Sequence, residues 1–194
     1  MGINGEEFLY ALDRSNAVLA GSFPLQCLLG ERYDGSDIDV FVYEHPKRDA
    51  WGHSESEIQR YVYRNADNKS PEEYIIRGVI GSKKYKIKDA IVNIVRVSEE
   101  DLGRFVMNTF DLSICQTVFK KQRLFFHKET LDKRGYVVNP WTKAKDRQSY
   151  HVSTKSENNN YYPQDIDKYM REKLSERIAK YTQRGFKISK YKLE

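Results

Sequence analysis

The sequence predicts an α/β (α+β) fold, a small mixed β-sheet flanked by helices, with a basic helical C-terminal extension. Apolar runs of strand length alternate with segments of helical periodicity over the first 138 residues. A length of 194 residues suits one domain with a short appendage. We therefore expect a folded domain over residues 1–138, a loop or tether over 139–163, and a basic helix and tail over 164–194.

The first part of the chain predicts strands and helices in alternation. The predicted elements are a helix at 5–14, a strand at 17–20, a helix at 24–30, a strand at 37–43 and a helix at 54–65. Pro24 and Gly30 lie where a helix prefers proline near its start and glycine just past its end. Ser54 and Glu57 form a capping-box pattern, which marks the start of the following helix.

The later part of the chain is richer in β-strand signals and ends in a helix. We predict strands at 73–80 and 83–97, a helix from Ser98, a strand at 111–119, a partner strand at 123–127 and a helix at 165–184. Gly81-Ser82 is the expected hairpin turn, and Gly185 is the expected end of the last helix. The stretch 139–163 is rich in Asn, Ser, Lys and Tyr and has little apolar periodicity, which favours a loop.

Composition and charge limit the classes of function. No apolar run approaches the roughly 20 residues that a membrane span requires, and two cysteines exclude a disulfide framework, so we expect a soluble protein of a reducing compartment such as the cytoplasm. Residues 1–119 carry a net charge of −5, whereas residues 120–194 carry +10. The basic C-terminal third is expected either to meet an anionic partner or to be an ordinary solvated face.

The segment from Ala20 to Val40 contains the residues most suited to chemistry. Gly21 and Ser22 stand where a strand turns into a helix, a place where backbone N–H groups and a hydroxyl can bind a phosphate. Asp37 and Asp39 are two residues apart on the next predicted strand, so both carboxylates project from the same face. Such a pair can hold Mg²⁺ or Mn²⁺, and two ions about 3.5–4 Å apart support in-line attack on a phosphate.

These four residues resemble the signature of the nucleotidyltransferase superfamily related to DNA polymerase beta. That signature is a strand ending in Gly-Ser, a helix, and Asp-x-Asp between apolar residues on the next strand. The resemblance implies a nucleotidyltransferase-like domain that binds an NTP, with Gly21 and Ser22 at the phosphates and Asp37 and Asp39 at Mg²⁺ or Mn²⁺. Phe110-Asp111-Leu112 and the segment 177–186 are also similar to small nucleotidyltransferase-like proteins of large DNA viruses, which implies the host cytoplasm or a virion.

The superfamily pattern includes a third carboxylate on a later strand, and two positions compete for it. Asn93 lies in a convincing strand but offers a neutral amide, which holds a metal more weakly and cannot act as a base. Asp111 has the required carboxylate, and we predict it as the third metal ligand and as a catalytic residue that helps deprotonate the acceptor. Lysines at 83, 84, 86 and 88 could line a phosphate path, but we favour the role of charges that protect an edge strand.

The sequence leads to two functional hypotheses. The first is a metal-dependent nucleotidyltransferase that adds a nucleoside monophosphate to an RNA, a protein or a small molecule, with catalytic residues Asp37, Asp39 and Asp111. The alternative is a catalytically degenerate member of the same fold that acts as a structural component, for example of a virion, or as a protein- or nucleic-acid-binding component through its basic C-terminal third. The short chain argues against a processive polymerase.

Overall fold

The computed structural model describes residues 3–45, 55–72, 78–138 and 166–190. The helices are α1 (Gly5–Arg14), α2 (Ser22–Leu29), α3 (Glu57–Asn65), α4 (Leu102–Thr109) and α5 (Ile166–Gln183). The strands are β1 (Val18–Ala20), β2 (Ile38–Tyr43), β3 (Asn68–Glu72), β4 (Val79–Ile87), β5 (Ala90–Val97), β6 (Val118–Lys120), β7 (Arg123–Phe125), β8 (Arg134–Tyr136) and β9 (Lys187–Ser189). Short 3-10 helices occur at Ser113–Gln116 and Lys128–Asp132.

Seven strands form one mixed sheet, in the order β3-β4-β5-β2-β1-β6-β7. Strands β2 and β5 run parallel, and the other five neighbouring pairs are antiparallel. Strands β8 and β9 form a separate parallel pair. The predicted fold class, a mixed sheet flanked by helices, is confirmed.

The core has three parts, of which the alternation of side chains along the strands separates the first two. One face of the sheet packs against α1 and α3 through residues such as Leu19, Val40 and Ile94. The opposite face packs against α4 through residues such as Phe41 and Val95. A third cluster joins α2, the 113–116 turn and α5 beyond the sheet.

The predicted hairpin turn at Gly81-Ser82 is wrong, because both residues lie inside β4. The turn is formed by Lys88 and Asp89, between strands that pair in register at Ile87 and Ala90. Lys88 has a φ of 54°, the left-handed conformation that tight hairpin turns require. Gly81 instead marks an irregularity in the register of β4 against β5, where the absence of a side chain leaves room for the Arg96 guanidinium.

The predicted strand at 111–119 is also wrong over its first part, which is a 3-10 helix at Ser113–Gln116. All side chains from 111 to 118 are buried, so the alternation of polar and apolar residues does not mark a solvent-facing side. The polar residues bind backbone groups instead: Gln116 donates to the carbonyl oxygens of Met107 and Phe110. Only β6 at its end is a strand, and its predicted hairpin partner is confirmed as β7.

Two helix starts differ from the predicted ones. The capping box of α3 is formed by Ser56 and Gln59, two residues later than predicted, and Ser54 lies outside the described residues. Helix α4 is capped by Asp101, whose side chain accepts from the Arg104 N–H, rather than by Ser98. Both segments contain two overlapping cap signals, and the later one is used.

The C-terminal helix α5 ends as predicted, since Gly185 follows it with a φ of 85°. Tyr181 and Phe186 are buried in the third core cluster together with Leu25 of α2. The predicted tether at 139–163 lies outside the described residues. Within the described part of the chain, no helix combines the length and apolarity that crossing a membrane requires.

Candidate functional site

The turn from β1 into α2 is built around a glycine that no other residue replaces easily. Gly21 has a φ of 85° and a ψ of −140°, a conformation essentially restricted to glycine. Its N–H donates to the carbonyl oxygen of Cys115. A Cβ added at Gly21 would lie 3.3 Å from Oδ2 of Asp39. The glycine thus lets the Asp39 carboxylate approach the start of α2.

Three neighbouring strands bring their polar residues to this turn. Ala20 of β1 is opposite Asp39 of β2, and Asp39 is in turn paired with Asn93 of β5. Asp39 alternates with Ile38 and Val40, so it lies on the face of the sheet that carries α4. Asp37 lies on the same side, immediately before β2 begins.

A lysine from the next strand contacts the first of the two aspartates. Lys84 of β4 is paired across the sheet with Asn93, and its Nζ lies 3.0 Å from Oδ2 of Asp37. The two side chains are 31% and 29% exposed. The predicted edge-strand role of the lysines is wrong, since β4 lies between β3 and β5.

Asn93 is the most deeply buried polar residue of the group, at 2% exposure. Its Nδ2 donates to Oδ1 of Asp39 over 3.1 Å. Its Oδ1 is buried and has no hydrogen-bond partner among the described residues. An unsatisfied buried acceptor beside a carboxylate is unfavourable by itself, and it is the kind of oxygen that a cation or a donor group of a ligand would satisfy.

A hydrogen-bond chain connects α2 to the loop before Asp37. The hydroxyl oxygens of Ser22 and Ser36 are 2.6 Å apart, and Ser36 accepts from Nε2 of Gln26. Gln26 Oε1 accepts from the Tyr33 N–H. Sequence reasoning missed Ser36 and Gln26, although a buried glutamine within an apolar helix is a signal for such a bond. The chain holds the predicted phosphate-binding Ser22 against the segment that carries Asp37.

Asp111 lies in a different environment from the other two aspartates. It is 2% exposed, and Nη1 of Arg177 lies 2.8 Å from both of its carboxylate oxygens. Burial raises the pKa of this carboxyl, and the Arg177 charge opposes part of that rise. Among the described residues no cluster of three His, Cys, Asp or Glu side chains could hold a metal. The structure therefore does not assemble Asp37, Asp39 and Asp111 into the predicted triad.

Helix α5 adds a cationic side to the site. Tyr181 is buried against Cys115, the residue whose carbonyl accepts from Gly21. The adjacent Lys180 has a pKa below its usual value, because its ammonium is partly desolvated and Arg184 repels it, while the negative charge of Asp39 opposes the shift. The Arg184 guanidinium stacks 4.2 Å from the centre of the Tyr33 ring. Of these cations, Lys180 is the one whose charge interacts with the Asp39 carboxylate.

The donor set of the site fits a divalent cation such as Mg²⁺ in part. Carboxylate oxygens of Asp37 and Asp39 and an amide oxygen are the hard ligands that Mg²⁺ prefers. The unsatisfied Oδ1 of Asn93 supplies a further acceptor, on the same amide whose nitrogen donates to Asp39. The third acid is missing from this set, because Asn93 stands beside Asp39 and Asp111 is bound to Arg177.

Comparison with known proteins finds similar solved structures but no sequence family. No family model matches the chain, and no curated protein matches it. A tRNA-processing enzyme in an apo form matches 71% of this chain and 38% of its own, at 15% identity and a TM-score of 0.46. A CCA-adding enzyme in complex with CTP matches 68% and 32%, at 13% identity and a TM-score of 0.42. The Thermotoga maritima CCA-adding enzyme complexed with tRNA matches 66% and 31%, at 17% identity and a TM-score of 0.39. The chain spans about a third of the length of these structures.

Proposed function

We propose that this chain is a metal-dependent nucleotidyltransferase that moves a nucleoside monophosphate from an NTP to the hydroxyl of an acceptor. The contact between Gly21 and Asp39 carries the proposal. The carboxylate lies 3.3 Å from the Cβ position of Gly21, and Gly21 precedes a helix start without a side-chain cap. A place for a cation and a place for a phosphate therefore adjoin, as an NTP with its counter-ion requires.

The start of α2 is suited to hold the β- and γ-phosphates. Its first backbone N–H groups lack a capping side chain, and an anion is the favoured partner for such groups. Ser36 accepts from Gln26, so its own hydroxyl proton can be donated to Ser22. The Ser22 proton is then available for a phosphate oxygen.

The acidic group is suited to hold the cation and the reacting hydroxyl. Asp37, Asp39 and the Asn93 amide oxygen would hold Mg²⁺ or Mn²⁺, which when bound offsets the charge of the phosphates. The acceptor oxygen forms a bond to the α-phosphorus, the bond to pyrophosphate breaks, and the hydroxyl proton passes to a carboxylate of the aspartate pair. Asp111 has no part in this step, because its ion pair with Arg177 engages both of its oxygens.

The C-terminal helix α5 supplies positively charged side chains that can bind the other anionic groups of the reaction. Lys180 is close enough to Asp39 for the two charges to interact, and Lys180 has no ion-pair partner among the described residues. We propose that this side of the site meets the departing pyrophosphate or an anionic acceptor. The acceptor is an RNA, a protein or a small molecule, and the reaction takes place in the cytoplasm.

A second candidate function has specific support in the same residues. Asn93 stands where an acid would strengthen cation binding, and Lys84 already neutralises Asp37. Both features favour a catalytically degenerate protein that uses this fold to bind a protein or nucleic acid. Such a protein would show no metal-dependent affinity for nucleotides.

Calorimetric titration of each NTP, in Mg²⁺ and again in EDTA, distinguishes the two functions. We expect Mg²⁺-dependent binding by the intact chain and a loss of about tenfold or more when Asp37 and Asp39 are both replaced by alanine. Asp89→Ala is the matched control, since this exposed aspartate lies in the β4–β5 turn. Binding by the control should equal that of the intact protein.

Two results would contradict the proposal. The absence of NTP binding by the intact chain favours the degenerate protein. Affinity that survives the double substitution and falls steeply with salt indicates a nucleic-acid-binding module instead, because counter-ion release dominates such binding.

A further inference from the structure

The charges around Asp39 do not match a site for two divalent cations. The group contains two carboxylates, Asp37 and Asp39, one ammonium, Lys84, and the neutral amide of Asn93. Without a nucleotide, two divalent cations would leave these four side chains with a net charge of +3, whereas one leaves them at +1, and the Lys180 charge that interacts with Asp39 adds to both totals. The electrostatics therefore favour a single ion.

Lys84 is held at Asp37 by the sheet rather than by chance contact of two surface side chains. Its strand β4 is hydrogen-bonded on both sides, to β3 and to β5. Its cross-strand partner is Asn93, which in turn is the partner of Asp39. The register thus directs one lysine, one amide and one carboxylate to the same row of the sheet, and Lys84 Nζ reaches Asp37 at 3.0 Å.

Asn93 supplies the independent sign that a cation belongs at Asp39. It is 2% exposed, it is already bonded to Asp39 through Nδ2, and its Oδ1 has no partner among the described residues. The desolvation of a buried acceptor is unfavourable unless a cation, a donor group or a water compensates it. A cation bound by Asp39 would do so.

We propose that the site binds one divalent cation, through Asp39 and the Asn93 oxygen, and that the Lys84 ammonium takes the place of a second ion at Asp37. This inference rests on the proposed function and narrows its set of metal ligands from Asp37, Asp39 and Asn93 to Asp39 and Asn93. Lys84 is then a positioning residue, because it neutralises Asp37 and keeps that carboxylate from binding metal. A nucleotide would bind with one divalent cation at Asp39, and its phosphates would meet the Lys84 ammonium beside that cation.

Titration of the nucleotide-free full chain with Mn²⁺, followed by electron paramagnetic resonance of the unbound ion, tests the stoichiometry directly. We expect one saturable site per chain. Lys84→Met releases Asp37 and should add a second site or tighten binding roughly tenfold, the scale on which a neighbouring charge shifts the affinity of a carboxylate for a cation. Lys84→Arg should keep one Mn²⁺ site, and Asn93→Asp should lower the dissociation constant of that site.

Lys86→Met is the matched control, because this exposed lysine lies two residues further along β4. It should bind Mn²⁺ as the intact chain does. A melting curve of each variant verifies that it folds. Two Mn²⁺ ions per intact chain, no saturable binding, or a Lys84→Met titration identical to that of the intact protein would overturn the inference.

The outcomes separate this inference from the proposed function. If two ions bind and NTP affinity still depends on the aspartate pair, the single-ion inference fails while the function stands. If one ion binds and no NTP does, the function fails and the cation site remains. If neither Mn²⁺ nor an NTP binds, both fail.

Discussion

Two carboxylate–cation pairs occur near the β1–α2 turn, and they differ in burial. The Asp37–Lys84 pair is 29% and 31% exposed, with a separation of 3.0 Å. In the Asp111–Arg177 pair the separation is 2.8 Å, the carboxylate is only 3% exposed, and the arginine side chain is 35% exposed. The distances and the exposures of the two cations are similar, so the pairs are distinguished by the burial of the carboxylate.

This difference indicates which pair can exchange partners. A partly exposed ion pair contributes little net free energy, so its ammonium can also contact a phosphate at low cost. A buried carboxylate that loses its cation keeps its full desolvation penalty. The Asp37–Lys84 pair is therefore suited to a binding site, whereas Asp111 anchors α5 to the 110–116 segment.

The largest expected effect is on the buried pair. Arg177→Leu should lower the free energy of unfolding by about 3 kcal/mol, because it leaves Asp111 buried without a compensating charge. Urea denaturation measures the change. Arg171→Leu, at an exposed arginine of the same helix, should change stability by no more than about 0.5 kcal/mol.

The double variant Asp111→Leu/Arg177→Leu gives a further check on the buried pair. It should recover most of the lost stability, since it removes both charges together. If Arg177→Leu lowered the free energy of unfolding no more than Arg171→Leu does, the buried Asp111 carboxylate would not need Arg177 for its stability.

The next largest effect is expected at the turn between the two pairs. Gly21→Ala should cost about 1–3 kcal/mol of stability, because alanine disfavours this backbone conformation and its Cβ would press on the Asp39 carboxylate. Nucleotide binding, measured by calorimetry, should be lost as well. Gly30→Ala is the matched control: Gly30 also has a positive φ, of 65°, but has open space around it.

The control variant Gly30→Ala should lower the free energy of unfolding by about 1 kcal/mol and leave nucleotide binding intact. Equal nucleotide affinities of the two variants at matched fractions of folded protein would show that the approach of Asp39 to Gly21 has no part in binding.

A smaller effect is expected in the dependence of stability on pH. The pKa of Asp111 is raised in the folded protein by burial, so the folded state holds this proton more tightly than the unfolded state does. The resulting stabilisation is complete below the ordinary aspartate pKa of about 3.9 and is lost as pH rises through the folded-state pKa. Asp111→Asn should lack this loss, which denaturation at a series of acidic pH values would reveal.

Arg177→Leu should extend the same loss to higher pH, since it removes the charge that opposes the rise in pKa. A pH profile of the intact protein parallel to that of Asp111→Asn would contradict the raised pKa.

The parts of this molecule that could be predicted from sequence are those determined by nearby residues. Strand β1, helix α2 and strand β2 follow one another within 26 residues, and each has its own apolar pattern, glycine or turn. The site residues Gly21, Ser22, Asp37 and Asp39 all lie in this segment. Their role in binding remains a prediction, although the register places Asp39 beside the glycine turn.

The partners of these residues could not be predicted, because strand pairing and helix packing bring them together from distant parts of the chain. Asn93 is 54 residues from Asp39, and Arg177 is 66 residues from Asp111. The hydrophobic-Asp-hydrophobic pattern at Asp111 matches a metal ligand, but burial against α5 gives this carboxylate a different partner. The lysines of β4 suggest an edge strand, but the neighbouring strand β3 covers that edge. Its sequence, Asn-Lys-Ser-Pro-Glu, has too weak a strand pattern to be predicted.

The smallest expected effect on stability is at the exposed pair, and it completes the comparison. Lys84→Met should change the free energy of unfolding by no more than about 1 kcal/mol, because water already screens both partners and the methylene groups of the side chain are kept. Urea denaturation beside Lys86→Met measures the difference. A loss near that of Arg177→Leu would mean that folding depends on the Asp37–Lys84 pair, and a lysine needed for folding could not be shared with a phosphate.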